Sequence, residues 1–236
     1  MLAARDAGSR PHDEGGTDED VPTQGVRQSG SHVHRQCLPE VGDTVYVQTA
    51  KTRTALVRAG VELLEETGSP DVGLREIARR AGVSHGAPRR WFPTHRSLLA
   101  AVARDGLEDL SSELMHAADG SFGTVLRVAS EYVAFARRRP AMFALIFRHD
   151  LLEGAGADLR STSQPLFTWL VSLIEQRGAV VDPESRAAEL WVGVHGIAML
   201  SSTGALGLAV PGIDDRTLVE RIVANSLRPS PGDPDR

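Results

Sequence analysis

The chain has 236 residues, with 26 Lys+Arg against 31 Asp+Glu and a formal net charge of −5. That length suits one or two domains with a sizeable core, and the single cysteine, Cys37, excludes a disulfide framework or a zinc site built from several thiolates. An aromatic content of 5% in a chain rich in Ala, Leu, Val, Arg and Gly points to an all-α fold rather than a β-sandwich. The N-terminus runs straight into polar residues without the apolar stretch of a secretory signal, and the expected location is the cytoplasm.

Residues 1–48 are rich in Gly, Ser, Pro, Asp and Glu and read as a disordered extension, since they hold too little apolar surface to offset ordering entropy. His32, His34 and Cys37 stand there at metal-like spacing, but a zinc site needs four fixed ligands, so no metal or cofactor is expected. From about Thr49 the pattern is helical: Leu56, Ala59, Gly60, Leu63 and Leu64 form one apolar stripe, with Lys51 and Arg58 off it and Arg53 in line with it at the helix start. Gly68-Ser69-Pro70-Asp71 ends this helix. A short second helix carries Leu74, Ile77, Ala78 and Ala81 and stops at Gly82, a natural left-handed position. Ser84 is placed to cap a third helix over 84–91, and Pro93-Thr94 breaks the chain before a longer helix with Leu98, Leu99, Val102, Leu107, Leu110 and Leu114.

Charge is unevenly spread along these elements. Residues 50–104 hold 10 basic and 5 acidic side chains, whereas 1–49 and 105–236 carry net charges of −4 and −6. A compact basic block in an acidic protein is the footprint expected of a surface that meets phosphates.

Beyond residue 104, helices are expected over about 121–138, 141–148, 162–177, 184–203 and 214–227, with a frayed tail over 229–236. Leu190–Ile213 is free of Asp, Glu, Lys and Arg, but it contains His195, Ser201, Ser202, Thr203, five glycines and Pro211. It reads as a buried helix ending near Gly204 and a glycine-rich loop, not as a membrane span. The run Arg137-Arg138-Arg139 reads as a solvated helix end, favourable to the helix dipole. No Gly-x-Ser-x-Gly elbow, His-Glu-x-x-His or phosphate-binding Gly-x-x-x-x-Gly-Lys-Ser/Thr occurs, and no enzymatic activity is expected.

The informative stretch is 74–92. Two short helices joined by a tight glycine turn form a helix-turn-helix, in which Ala78 and Ala81 allow close approach, Gly82 permits the turn and Val83 locks it to the core. Small residues at the start of the second helix (Ser84, Gly86, Ala87) let its backbone approach DNA. The order Ile77-Ala78, Ala81-Gly82-Val83-Ser84, Gly86, Phe92 and Leu98-Leu99 resembles the DNA-binding domain of TetR-family transcriptional regulators over residues 49–104. Trp191-Val192-Gly193-Val194-His195-Gly196 resembles the Trp-x-x-x-His-Gly signature of one TetR C-terminal domain type. Three positions depart from the family pattern: Arg89 replaces the usual tyrosine, and His95 and Arg96 replace a lysine and a glutamate. Gly73 stands where a Ser or Thr cap is common.

The resemblance implies an N-terminal three-helix DNA-binding domain (49–104) and a C-terminal helical ligand-binding and dimerisation domain (105–228). The implied function is that of a ligand-responsive repressor whose homodimer, paired through 184–203 and 214–227, binds a palindromic double-stranded operator. Ser84, His85, Ala87 and Arg90 are the candidates for base edges or adjacent phosphates, with Gly86 allowing close approach. Lys51, Arg53, Arg75, Arg89, Trp91 and His95 are the candidates for the DNA backbone. Tyr132, Phe143, Phe147, Trp169, Trp191 and His195 are candidates for a small-molecule effector pocket between helices. The competing reading is a helical ligand-binding protein or enzyme carrying a vestigial helix-turn-helix.

Overall fold

The computed structural model describes residues 41–177 and 180–229, and among them every regular element is helical. His32, His34 and Cys37, where no metal is expected, lie outside the described residues. The first helix, α1, spans Val41–Thr67, so it begins inside the segment expected to be disordered. It is followed by α2 (Leu74–Arg80), α3 (Ala87–Trp91) and α4 (His95–Ala117). The rest comprises α5 (Thr124–Arg138), α6 (Pro140–Ile146), α7 (His149–Leu152), α8 (Arg160–Glu175), α9 (Pro183–Ser202), α10 (Ala205–Ala209) and α11 (Asp215–Ser226). The short helices α7 and α10 have no counterpart in the sequence reading.

The apolar stripe of α1 is buried as its spacing predicts: Leu56, Ala59, Leu63 and Leu64 pack against α4 and α2. A Cβ at Gly60 would sit 2.7 Å from Cγ2 of the buried Val102, so glycine sets how closely α1 and α4 approach. Thr94 starts α4 with a reciprocal cap: its side chain accepts from the Ser97 N–H and the Ser97 hydroxyl accepts from the Thr94 N–H. From there α4 runs unbroken across residue 104, so no linker separates the two expected domains. In the C-terminal part, α9 packs most extensively on α5 and also on α8 and α11.

The charge-free stretch 190–213 is divided between α9, the left-handed Gly204 (φ +72°), α10 and a turn. No helix among the described residues is long and apolar enough to cross a membrane.

The arginine run 137–139 ends α5 with Arg137 and Arg138 exposed, as expected, but all three side chains are ion-paired. Arg137 pairs with Asp215 of α11 (3.0 Å), Arg138 with Glu113 of α4 and Glu131 of α5, and Arg139 with Glu65 of α1 (2.7 Å) and Asp109 of α4 (2.8 Å). The Arg139 guanidinium also lies 5.4 Å from the centroid of the Phe135 ring. The end of α5 meets three other helices here, α1, α4 and α11, and each carries a carboxylate placed for one of these cations.

Gly60→Val inserts a branched side chain at the α1–α4 crossing. It should destabilise the protein by about 1–3 kcal/mol, read from the midpoint of urea unfolding. An unchanged midpoint would show that the two helices do not meet this closely.

Candidate DNA interface and effector cavity

The turn between α2 and α3 is built by backbone hydrogen bonds. Ala81 N–H donates to Ile77 O (2.9 Å) and Val83 N–H to Ala78 O (3.0 Å), with Gly82 at φ +67° between them. That sign of φ is nearly free for glycine and costly for most other residues. The third helix starts later than its sequence suggests. Ser84, His85 and Gly86 form a further turn closed by Ala87 N–H to Ser84 O (2.9 Å), Gly86 occupies the N-cap, and Pro88 is the buried residue of the first turn. Ser84 therefore does not cap α3, and its side chain is exposed along with His85 and Gly86. Gly73, at the N-cap of α2, makes no side-chain cap bond, as its lack of a hydroxyl dictates.

Ion pairing divides the basic side chains of this region into two groups. Arg58 pairs with Glu62, Arg79 with Glu76, Arg80 with Glu66 and Glu62, and Arg104 with Glu108. Arg96 donates to the carbonyls of Leu151 (2.8 Å), Asp150 (3.2 Å) and Glu153 (3.3 Å) around the end of α7. Lys51, Arg53, Arg75, Arg89 and Arg90 are exposed and have no carboxylate partner among the described residues. These five are the basic residues put forward from the sequence. Arg53 lies 5.6 Å from the centroid of the Phe92 ring, which sets α1 beside the end of α3. Trp91 is half-buried against the core.

Two positions differ from the sequence expectation. His95 is half-buried, with Nε2 2.6 Å from Val72 O, so this ring nitrogen holds the loop before α2 and is not offered to a phosphate. Arg96, which stands where the family pattern has a glutamate, is spent on the carbonyls at the end of α7. Both side chains sit in the first turn of α4, where nearby carbonyls satisfy them.

In the C-terminal part, a cavity of about 620 Å³ opens between α4, α5, α8 and α9. Four of the six proposed pocket residues line it: Tyr132, Phe147, Trp169 and Trp191. Phe143 and His195 do not; they stand one layer behind the wall. Phe143 is fully buried with its ring 5.0 Å from Phe147 and 5.4 Å from Tyr132, and the His195 ring lies 4.4 Å from Phe147. Sequence reasoning missed the α4 wall (Leu107, Leu110, Leu114), whose stripe looks like ordinary core. It also missed the polar contributors His149, Arg160, Ser163 and Gln164, which carry no motif.

His195 Nδ1 and the Tyr132 hydroxyl are 2.9 Å apart. Burial pushes the tyrosine pKa up and the histidine pKa down, so both are uncharged at neutral pH and share one hydrogen bond in either imidazole tautomer. The histidine shift has a definite sign in stability. As pH falls below the ordinary histidine value, the unfolded chain takes up a proton that the folded chain does not, and folding weakens until buried His195 is itself protonated. His195→Gln should therefore lose less melting temperature than the parent between about pH 7.5 and about pH 5.5. Parallel losses in the two proteins would show that His195 titrates as in the unfolded chain.

Comparison with known proteins agrees with this geometry. The model for bacterial regulatory proteins of the tetR family matches residues 56–102, and that for the tetracyclin repressor-like C-terminal domain matches residues 125–225. A Rhodococcus sp. RHA1 protein of unknown function superimposes with a TM-score of 0.64 at 26% identity, covering 75% of this chain and 94% of that one. A transcriptional regulator from the same organism gives a TM-score of 0.59 at 24% identity, covering 74% and 95%. The uncharacterized HTH-type transcriptional regulator YvdT of Bacillus subtilis (strain 168) is 22% identical over 133 residues, which are 55% of this chain and 68% of that protein. The two domain matches together span more than half of the sequence, and the chain belongs to the TetR family of DNA-binding transcriptional regulators.

Proposed function

We propose that the protein is a homodimeric repressor that holds a palindromic operator and releases it when a small molecule fills the cavity. The observation that carries this reading is the division of charge around the helix-turn-helix. Carboxylates or carbonyls engage five of the basic residues, while Lys51, Arg53, Arg75, Arg89 and Arg90 keep their charge for an external anion. In this reading Ser84, His85, Ala87 and Arg90 meet base edges or adjacent phosphates, and Gly86 lets the backbone approach. Lys51, Arg53, Arg75, Arg89 and Trp91 fix the register on the DNA backbone.

The second copy is expected on α9 and α11. The exposed residues of α9, among them Val192, Gly196, Met199 and Leu200, recur every three or four positions and form one largely apolar face. Val192 is 62% exposed, a cost that a paired helix would remove. Coupling between the cavity and DNA follows the chain from Phe147 to Glu153. Phe147 and His149 line the cavity, while Arg96 grips the carbonyls at 150, 151 and 153 from the first turn of α4. An effector that favours one arrangement of this segment biases the position of α4 and hence the spacing of the two recognition helices. It does so in proportion to its unequal affinity for the two states.

Selection from random duplex DNA should recover an inverted repeat with half-sites about 34–36 Å apart or somewhat further. Placed across a promoter, that repeat should lower reporter expression in the presence of the protein. Arg89→Ala should weaken binding to selected and unselected duplexes alike and reduce the salt slope by about one. Failure to retain any duplex at low salt would overturn the proposal, and an unchanged slope would remove Arg89 from the contact set.

A further inference from the structure

The cavity's chemistry is one-sided. Its walls are apolar and aromatic: Leu110 and Leu114 from α4, Val128 from α5, Phe167 and Trp169 from α8, Trp191 from α9. The Tyr132 hydroxyl reaches this wall but is already engaged by His195. The remaining polar contributors, His149, Arg160, Ser163 and Gln164, all come from α7 and α8, and all four are exposed. They therefore give the cavity a polar rim on the α7–α8 side, while its exposed lining on α9, Trp191 and Val192, is apolar like the interior.

No aspartate or glutamate lines the cavity, and Arg160 is its one arginine or lysine. Arg160 has no hydrogen-bond or ion-pair partner among the described residues. Of the acids nearest in sequence, Asp158 accepts from the Ser161 N–H (3.3 Å), Asp150 pairs with Arg148 (2.8 Å), and Glu153, whose backbone carbonyl accepts from Arg96, makes no ion pair with Arg160. An unneutralised guanidinium beside an apolar chamber favours a ligand with one negative charge at the rim and an uncharged body inside. A charge carried deep into the chamber would be left without a partner. A cation could gain from the aromatic faces, but it would meet Arg160 as a like charge with no carboxylate to offset it.

We infer that the effector is a lipophilic organic anion, an aromatic or alkyl skeleton bearing one acidic head group, held with the head on Arg160 and the skeleton between α4, α5, α8 and α9. This rests on the reading of the cavity as an effector site and adds the charge class of what enters it.

Two fluorescent probes with the same ring skeleton separate the two ideas: anilinonaphthalene sulfonate, which is anionic, and N-phenylnaphthylamine, which is neutral. The full-length protein should bind the sulfonate about tenfold or more tightly than the amine, as a charge-assisted contact predicts. Arg160→Gln should abolish that preference while leaving amine affinity within about twofold. Filling the chamber with Ala129→Phe from α5, or with Ala188→Phe from α9 should the first not fold, should block both probes. Equal affinities in the parent, or an undiminished preference in Arg160→Gln, would overturn the anion assignment while the cavity stands as a binding site. Binding that survives a filled chamber would place the probes elsewhere and overturn it as well. If neither probe binds, the effector-site reading fails together with this inference.

Discussion

The apolar face of α4 is buried along nearly its full length, and the rest of the molecule is arranged around that burial. Leu98, Leu99 and Val102 serve the core shared with α1 and α2, while Leu107, Leu110 and Leu114 form a wall of the cavity. With 23 residues at 1.5 Å each, the helix is roughly 35 Å long, and it contains no proline at which to bend. The same rod is thus a core element of the DNA-binding domain at one end and part of the cavity wall at the other. A displacement at the chamber cannot be absorbed locally without disturbing close-packed side chains at the crossing with α1, where Gly60 already sets the minimum separation.

Ion pairs brace this rod without contributing much stability individually, since exposed pairs are worth about 0–1 kcal/mol. Their arrangement matters more than their number. Arg139 ties α1 to α4, Arg138 ties α4 to α5, and Arg137 ties α5 to α11. Around the helix-turn-helix the same pairing neutralises Arg58, Arg79, Arg80 and Arg104, carbonyls hold Arg96, and Lys51, Arg53, Arg75, Arg89 and Arg90 have no carboxylate partner among the described residues. In a chain with a net charge of −5, attraction to DNA therefore depends on where carboxylates are absent rather than on an overall positive charge.

The chamber differs from the surrounding core in what it withholds. Protein interiors fill their space closely, yet a volume of about 620 Å³ stays open between four helices. Its rim and the DNA-binding domain share one short connection, residues 147–153, with cavity-lining side chains at its start and backbone carbonyls held by Arg96 at its end. This contact set is one polar link between the two halves of the molecule, and the Arg139–Glu65 pair is another.

The sequence by itself determined what local spacing controls. The three- and four-residue repeat of Leu56, Gly60, Leu63 and Leu64 specified a helix and its buried face, and Ala78, Gly82 and Val83 specified the turn, because each depends on neighbours within a few residues. Ser84 is a good capping residue by its type, yet its carbonyl closes the turn with the Ala87 N–H and α3 starts after Gly86, with Pro88 buried in its first turn. Only the tertiary structure decided which side chains are free and which are spent. His95 finds Val72 23 residues away, Arg96 finds Leu151 at 55, Arg139 finds Glu65 at 74 and Arg137 finds Asp215 at 78. The cavity belongs to the same class: an unfilled space between α4, α5, α8 and α9 is a property of how the helices fit together, and no one helix's pattern carries it.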